Sequence, residues 1–162
     1  MNKFKKHLVV SLALGLVLFS VNSSQKEDTS KIILDVYKTP TCGCCNFWVS
    51  HLEKSEIKTR THDYDSLHEV KERFGIGEDL MSCHTGVSKS GYFFEGHIPA
   101  KFIQEFLTNP PAGAKGLAVP GMPMGSPGME MGDRFTPYSI FLMKNDGSIE
   151  VYAEIKSKED QY

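Results

Sequence analysis

Three cysteines within four positions, Cys42, Cys44 and Cys45 in "TPTCGCC", lie just behind a β-branched run and just ahead of an apolar, aromatic stretch. That placement constrains the fold more than any other feature of the chain. "KIILDVY", residues 31–37, reads as a strand and Pro40 breaks it; "CCNFWVSHLEKS" then shows helical spacing at Phe47, Trp48, His51 and Leu52. "IKTRTHDY", residues 57–64, alternates enough to be a second strand, and two strands joined through a helix are expected to pair in parallel. A second helix is expected over Leu67 to Phe74, capped by Asp65-Ser66 and ended by Gly75.

Strand, cysteine loop, helix, strand, helix is the first half of a thioredoxin-like α/β fold, with a central mixed sheet flanked by helices. "GVSKSGYFFEG" then reads as a hairpin turning near Ser90-Gly91, and "IPAKFIQEFLT" as a third helix with Pro99 in its first turn. Residues 110–137 hold 6 of the 8 prolines and several glycines, so they are expected to contain no core element. "YSIFLMKNDGSIEVYAEI" is a C-terminal hairpin with Asp146-Gly147 as its turn. Thr136-Pro137, just before that hairpin, is a candidate for the cis-proline loop that thioredoxin-like folds set against their cysteine helix. Which hairpin takes which place in the sheet stays open, and there are no internal repeats.

The N-terminus follows a different logic. Lys3, Lys5 and Lys6 precede an apolar run of 12 residues, Leu8 to Phe19, and Ser20 to Ser24 supply small residues for cleavage. This is the architecture of a secretory signal, too short to span a bilayer comfortably, with an uncleaved anchor as the alternative and the one expected link to a membrane. The expected organisation is a signal peptide over 1–23, a flexible N-terminus over 24–30, a metal-binding domain over 31–155 and a C-terminal tail over 156–162. Cleavage removes three lysines and no acids, leaving 15 basic against 20 acidic residues and a formal charge of −5. Such a balance argues against a nucleic-acid partner, which requires a basic face.

Export also bears on the cysteines, because oxidising compartments favour disulfides. Four cysteines allow two disulfides, but Cys42, Cys44 and Cys45 stand too close together for a loop-closing scaffold, and only Cys83 lies elsewhere. Cys42 and Cys45 have C-x-x-C spacing at a strand-to-helix junction, where free N–H groups stabilise a thiolate; the first cysteine should be exposed and the second partly buried. That alone fits a thiol oxidoreductase with these two as its catalytic residues. Cys44 shifts the weighing, since a third thiol invites wrong mixed disulfides in an exchange site but adds a ligand to a soft-metal site. Thiolates and thioethers select Cu(I), while zinc accepts the same thiolates together with histidine.

Cys83-His84 brings a fourth sulfur and an imidazole on a loop leading into the third strand, within reach of the cysteine helix if the fold is as expected. "VPGMPMGSPGMEMG", residues 119–132, carries Met122, Met124, Met129 and Met131 in a loop expected to bury little. With no helical or strand period to serve, these methionines read as soft ligands for Cu(I), as a lid over the thiolates, or as an adaptable apolar flap. His97 in "EGHIP" heads the third helix and can face the site; His51 and His62 read as surface or partly satisfied residues, and His68 as solvated. There is no nucleophile elbow, phosphate loop or HExxH motif.

"KTPTCGCC", "MSCHT", "EGHIPA" and "GLAVPGMPMGSPGMEMG", in this order behind a signal peptide, resemble the CopG-type periplasmic copper-handling proteins over nearly all of residues 31–155. The resemblance implies a thioredoxin-like scaffold whose cysteine cluster binds copper, with a role in interconverting Cu(I) and Cu(II) during detoxification. Carried over, it puts copper on Cys42, Cys44, Cys45 and Cys83, with His84, Met122, Met124 and Met129 as outer ligands. Several thiolates gathered together also make a site for more than one copper ion reasonable on charge grounds. Two other functions are weighed beside it. One is a thiol–disulfide oxidoreductase, since the cysteine loop is also similar to those of glutaredoxins and arsenate reductases. The other is a passive chaperone handing copper to an efflux pump or another resistance protein, its acidic surface aiding the docking.

Overall fold

The computed structural model describes residues 32–162; the signal peptide and flexible N-terminus expected over 1–30 lie outside the described residues. The elements are β1 Ile33–Lys38, α1 Gly43–Lys54, β2 Lys58–Asp63, α2 His68–Phe74, β3 His84–Ser88, β4 Phe93–Glu95, α3 Ala100–Thr108, β5 Ala114–Ala118, β6 Tyr138–Lys144 and β7 Ile149–Ile155. Short 3-10 turns at Glu78–Leu80 and Glu159–Gln161 complete them. The result is a mixed α/β protein with one seven-stranded sheet in the order β2-β1-β3-β4-β5-β6-β7. β1 pairs with β2 in parallel, as expected of two strands joined through a helix, and β3 lies antiparallel on the other side of β1. The hairpin β3–β4 is therefore the one inside the sheet, and β6–β7 forms its far edge.

The period of two along each strand divides the interior. Phe94, Leu117 and Leu142 belong to a large cluster with Trp48 and Leu52 of α1 and Ile103, Phe106 and Leu107 of α3. Their chain neighbours Phe93, Ala118 and Met143 point the other way, into a smaller cluster with Ile76 and Leu80. Trp48 is fully buried and its indole N–H donates to the Ile98 carbonyl at 2.8 Å, so its polar edge is satisfied inside the core. Truncating such a side chain to alanine typically costs about 3–5 kcal/mol. Trp48 thus fixes how α1, and with it the cysteines, sits on the sheet.

Three expectations are corrected. Residues 110–137 do contain a core element: β5, "AKGLA", pairs in parallel with β4 and antiparallel with β6. It is short and poor in large side chains because space is taken on the neighbouring strand; a Cβ on Gly116 would come within 2.3 Å of the Phe93 carbonyl oxygen. Next, the methionine-bearing loop is not superficial throughout, because residues 125–128 are buried, with Gly128 against α1. Finally, there is no cis peptide among the described residues, so Thr136-Pro137 forms no cis-proline loop, and Pro137 is exposed. The segment set against the cysteine helix is the one before β3, where Cys83 stands.

The end of the chain holds the long loop down. Gln161, buried, accepts from the Tyr138 hydroxyl at 2.8 Å and donates to the Gly125 carbonyl at 3.0 Å; Lys158 donates to the Gly132 carbonyl at 2.8 Å. Among the described residues no helix is long and apolar enough to cross a membrane.

Candidate metal centre

Cys42 occupies the N-cap of α1, in extended conformation, and its sulfur accepts the backbone N–H of Cys45 at 3.3 Å. The first turn of a helix has N–H groups without intrahelical partners, so a sulfur there is stabilised as its negative charge develops. Cys42 and Cys45 are joined as a disulfide, with Cα atoms 5.3 Å apart. The order of exposure is the expected one, but both are deeper than expected: Cys42 is half-buried and Cys45 is fully buried. Cys44, about 100° round the helix from Cys45, remains a free thiol. Its Sγ lies 3.5 Å from Cys42 Sγ and 3.9 Å from Cys83 Sγ.

Cys83 arrives from the opposite side, one residue before β3. It is held among imidazoles: His97 Nε2 is 3.2 Å and His84 Nδ1 is 3.3 Å from its Sγ. Burial, and after it the neighbouring Cys44 sulfur, push the Cys83 thiol up to about 12. It is therefore protonated near neutral pH, and anything that binds its sulfur must displace a proton. His97 bonds through Nδ1 to the Pro127 carbonyl at 2.8 Å, which makes Nδ1 the N–H and leaves the Nε2 lone pair facing Cys83. His84 lies against Trp48, ring centroids 4.2 Å apart, and edge-on to His97 at 4.8 Å. Its Nε2 is buried and makes no hydrogen bond. Burial holds both imidazoles below their ordinary value, with His97 adding to the effect on His84 against a smaller opposing pull from the Gly96 backbone. Both are neutral, the form in which imidazole binds metals.

Among the described residues two ligand groups result, and Cys83 belongs to both. One comprises Cys42, Cys44, Cys45 and Cys83 and the other Cys83, His84 and His97, with the donor atoms of each group all within 4.8 Å of one another. The donors are soft sulfurs backed by imidazole, a set suited to Cu(I) and, less selectively, to zinc.

The long loop closes one side. Met122 Sδ is 4.0 Å from Cys44 Sγ, although the side chain is half exposed. Met124 and Met129 are half-buried and use their carbonyls in the loop's own turns, accepting from Thr136 and Gly125 at 2.9 Å each. Met131 is exposed. Gly128, with φ +87°, lets the loop lie directly on the first turns of α1, since a Cβ there would be 2.7 Å from the Trp48 nitrogen and 2.8 Å from the Cys44 oxygen.

Beneath Cys83 lies a brace that sequence reasoning missed. Glu95, fully buried, forms an ion pair with Lys71 of α2 and accepts from Thr85 Oγ1 at 2.6 Å and from the Ser82 backbone N–H at 2.6 Å. Ser82 in turn donates through its hydroxyl to the Gly121 carbonyl, next to Met122, while Gly121 N–H donates to the Met81 carbonyl at 3.0 Å. A carboxylate inside "GYFFEGHIP", directly between Phe94 and Gly96, was the available signal. His97 in the same stretch was weighted too lightly. The weaker histidines lie as expected away from the sulfurs: His51 accepts from Ala100 N at 3.0 Å, His62 pairs with Asp35 at 2.7 Å, and exposed His68 pairs with Glu72 at 3.1 Å.

Two solved structures titled copper resistance protein copG, in two forms, match this chain at 42% sequence identity, with TM-scores of 0.73 and 0.72. In both cases the match covers 77% of this chain and 98% of the other. The chain belongs to the CopG family. A family described as "Protein of unknown function, DUF411" matches residues 80–129. That span contains Cys83, His84, His97 and the methionine loop as far as Met129, leaves out Met131, and begins after the cysteine helix. No match is found among curated proteins. This CopG-family chain therefore carries a cysteine cluster able to hold metal.

Proposed function

We propose that this CopG-family chain is an exported, periplasmic copper-binding protein that takes up Cu(I) on Cys42, Cys44, Cys45 and Cys83 and participates in Cu(I)/Cu(II) interconversion. The observation that carries the reading is the convergence of four cysteine donor atoms, from two segments far apart in sequence, within 4.8 Å of one another. His84 supports it independently, because a buried nitrogen with no hydrogen-bond partner suits a metal ligand better than a structural role. His97 joins the ligand set, Met122 supplies an outer thioether, and Met124 and Met129 complete the soft lining. Two ligand groups sharing Cys83 favour more than one copper ion, with zinc the poorer fit because the methionine thioethers are not among its usual ligands.

The strand order supports a thioredoxin-like core. Parallel β1–β2 joined through α1, with β3 antiparallel to β1 and β4 antiparallel to β3, is that fold's arrangement, here extended by β5 to β7. Residues 31–155 would form this domain after removal of residues 1–23 in export. Its partners would be copper ions and other copper-resistance or efflux proteins, with no nucleic acid among them. A disulfide between Cys42 and Cys45 removes two sulfurs from the ligand set, so copper occupancy and thiol oxidation exclude one another at this pair. That coupling is the basis for a redox role.

A second reading, a thiol–disulfide oxidoreductase with Cys42 and Cys45 as its catalytic pair, is favoured by the disulfide at the helix N-terminus. Anaerobic titration of the reduced protein with Cu(I), against a competing chelator and with free thiols counted, separates the two. Tight uptake that protects all four thiols is expected. Cys83→Ser, which leaves C-x-x-C intact, should lower affinity at least about tenfold or lower the copper content. Weak uptake, with a readily reversible Cys42–Cys45 disulfide, would give the site to the second reading.

A further inference from the structure

The third and fourth thiols stand in a line of contacts leading away from the disulfide. Cys44 Sγ is 3.5 Å from Cys42 Sγ, and Cys83 Sγ is 3.9 Å from Cys44 Sγ. Both are free thiols while Cys42 and Cys45 are bonded. A thiolate next to a disulfide sulfur is the reactant pair of thiol–disulfide exchange. We propose that the metal-free site moves its disulfide internally, from Cys42–Cys45 through Cys42–Cys44 to Cys44–Cys83.

The exchange balances without any outside reagent. In the first step Cys44 sulfur bonds to Cys42, the Cys42–Cys45 bond breaks, and the proton lost by Cys44 ends on Cys45. The released Cys45 lies 3.6 Å from the Cys83 carbonyl oxygen, which its new S–H can use as an acceptor. In the second step Cys83 sulfur bonds to Cys44, the Cys42–Cys44 bond breaks, and the proton lost by Cys83 ends on Cys42. Cys42 departs from the N-cap of α1, where the Cys45 N–H bonds its sulfur at 3.3 Å and stabilises the leaving thiolate. One S–S bond is present throughout, so no electrons enter or leave.

The consequence is a function for the cysteine that an ordinary exchange site would do without. Oxidation taken up at the accessible pair is passed to Cys44–Cys83, and Cys42 and Cys45 are restored as a dithiol at the helix N-terminus. The inference goes beyond copper binding and stands without it, since every step occurs in metal-free protein.

The test uses metal-free protein carrying one disulfide and two free thiols per chain. After incubation at mildly alkaline pH it is acid-quenched, its thiols are alkylated, and it is digested with trypsin. Cleavage after Lys38 and Lys54 isolates Cys42, Cys44 and Cys45 on one peptide, and cleavage after Arg73 and Lys89 puts Cys83 on another. Mass spectrometry should find the two peptides joined through Cys44 and Cys83 in wild type, and the joined species reduced at least about tenfold in Cys44→Ser, in which the line of contacts is cut. A wild-type disulfide that stays wholly within residues 39–54, or a joined species undiminished in Cys44→Ser, would overturn the proposal. Copper affinity is measured separately on reduced protein, so failure here leaves that reading untouched.

Discussion

The two walls of the candidate metal centre offer similar sulfur chemistry in opposite surroundings. The α1 wall is contiguous in sequence, lies at a helix N-terminus, and presents Cys42 and Cys44 partly to solvent. The wall formed by β3 and β4 brings the adjacent Cys83 and His84 together with His97 from beyond β4, buries both imidazoles completely, and rests on the Glu95–Lys71 pair. On the first wall, exposed backbone N–H groups do the electrostatic work. On the second, side chains must satisfy one another, because His84, His97 and Glu95 are buried away from solvent. The difference teaches that one wall is chemically reactive and mechanically simple, while the other keeps its thiol protonated near neutral pH and is sensitive to any loss of a partner.

The sharpest way to break the buried wall is Glu95→Ala. It leaves Lys71 as an uncompensated buried charge and releases the Ser82 N–H, and breaking such a pair from one side typically costs about 3–5 kcal/mol. A large fall in the urea midpoint of the metal-free protein is expected. Replacing both partners with apolar residues, Glu95→Leu with Lys71→Met, should recover much of that loss; a double variant as unstable as the single one would show that the charge was not the cause. Copper uptake by the double variant should still be weakened, because Ser82 beside Cys83 has lost its anchor.

Acidification tests the same wall more gently. His84, His97 and half-buried His51 are held neutral by burial, below the ordinary value of 6.5. The unfolded chain therefore takes up protons as pH falls through 6.5 while the folded protein does not, so stability is intact above that pH and is lost below it. Carboxylates with lowered values, such as Asp35, become protonated only near or below 3.8, which leaves the interval between to the histidines. The urea midpoint of metal-free protein should fall steadily across that interval. A flat profile would mean that these imidazoles accept protons in the folded state.

The smallest effect belongs to the exposed side. Met122→Leu retains the apolar volume but removes the thioether 4.0 Å from Cys44. Stability should change by less than about 0.5 kcal/mol, as for most surface substitutions. Cu(I) affinity should fall by a few-fold at most, read from the same chelator competition. A loss as large as that of Cys83→Ser would make Met122 a full ligand and erase the asymmetry between the walls.

What could be read from the residues alone followed local physics. The β1–α1–β2 unit, the Gly75 helix stop, the Asp146-Gly147 turn and the exposed-then-buried order of Cys42 and Cys45 all depend on neighbours within a few positions. β5 was hidden because "AKGLA" carries too little apolar bulk to stand out between prolines; only the Phe93 ring packed on Gly116 explains the sequence. The cis-proline expectation failed at Thr136-Pro137 because chain order does not say which loop reaches the cysteine helix.

By itself the sequence determined the soft-donor inventory, the helix that presents three of the cysteines, and the family to which the chain belongs. Tertiary structure alone decided that Cys83 stands beside Cys44, that His97 turns its free nitrogen toward that sulfur, and that Glu95 anchors the loop between them. The physical reason is range. Helix starts and turns are settled by hydrogen bonds between near neighbours, whereas the meeting of residues some forty positions apart depends on strand order and on packing around Trp48, which no local pattern encodes.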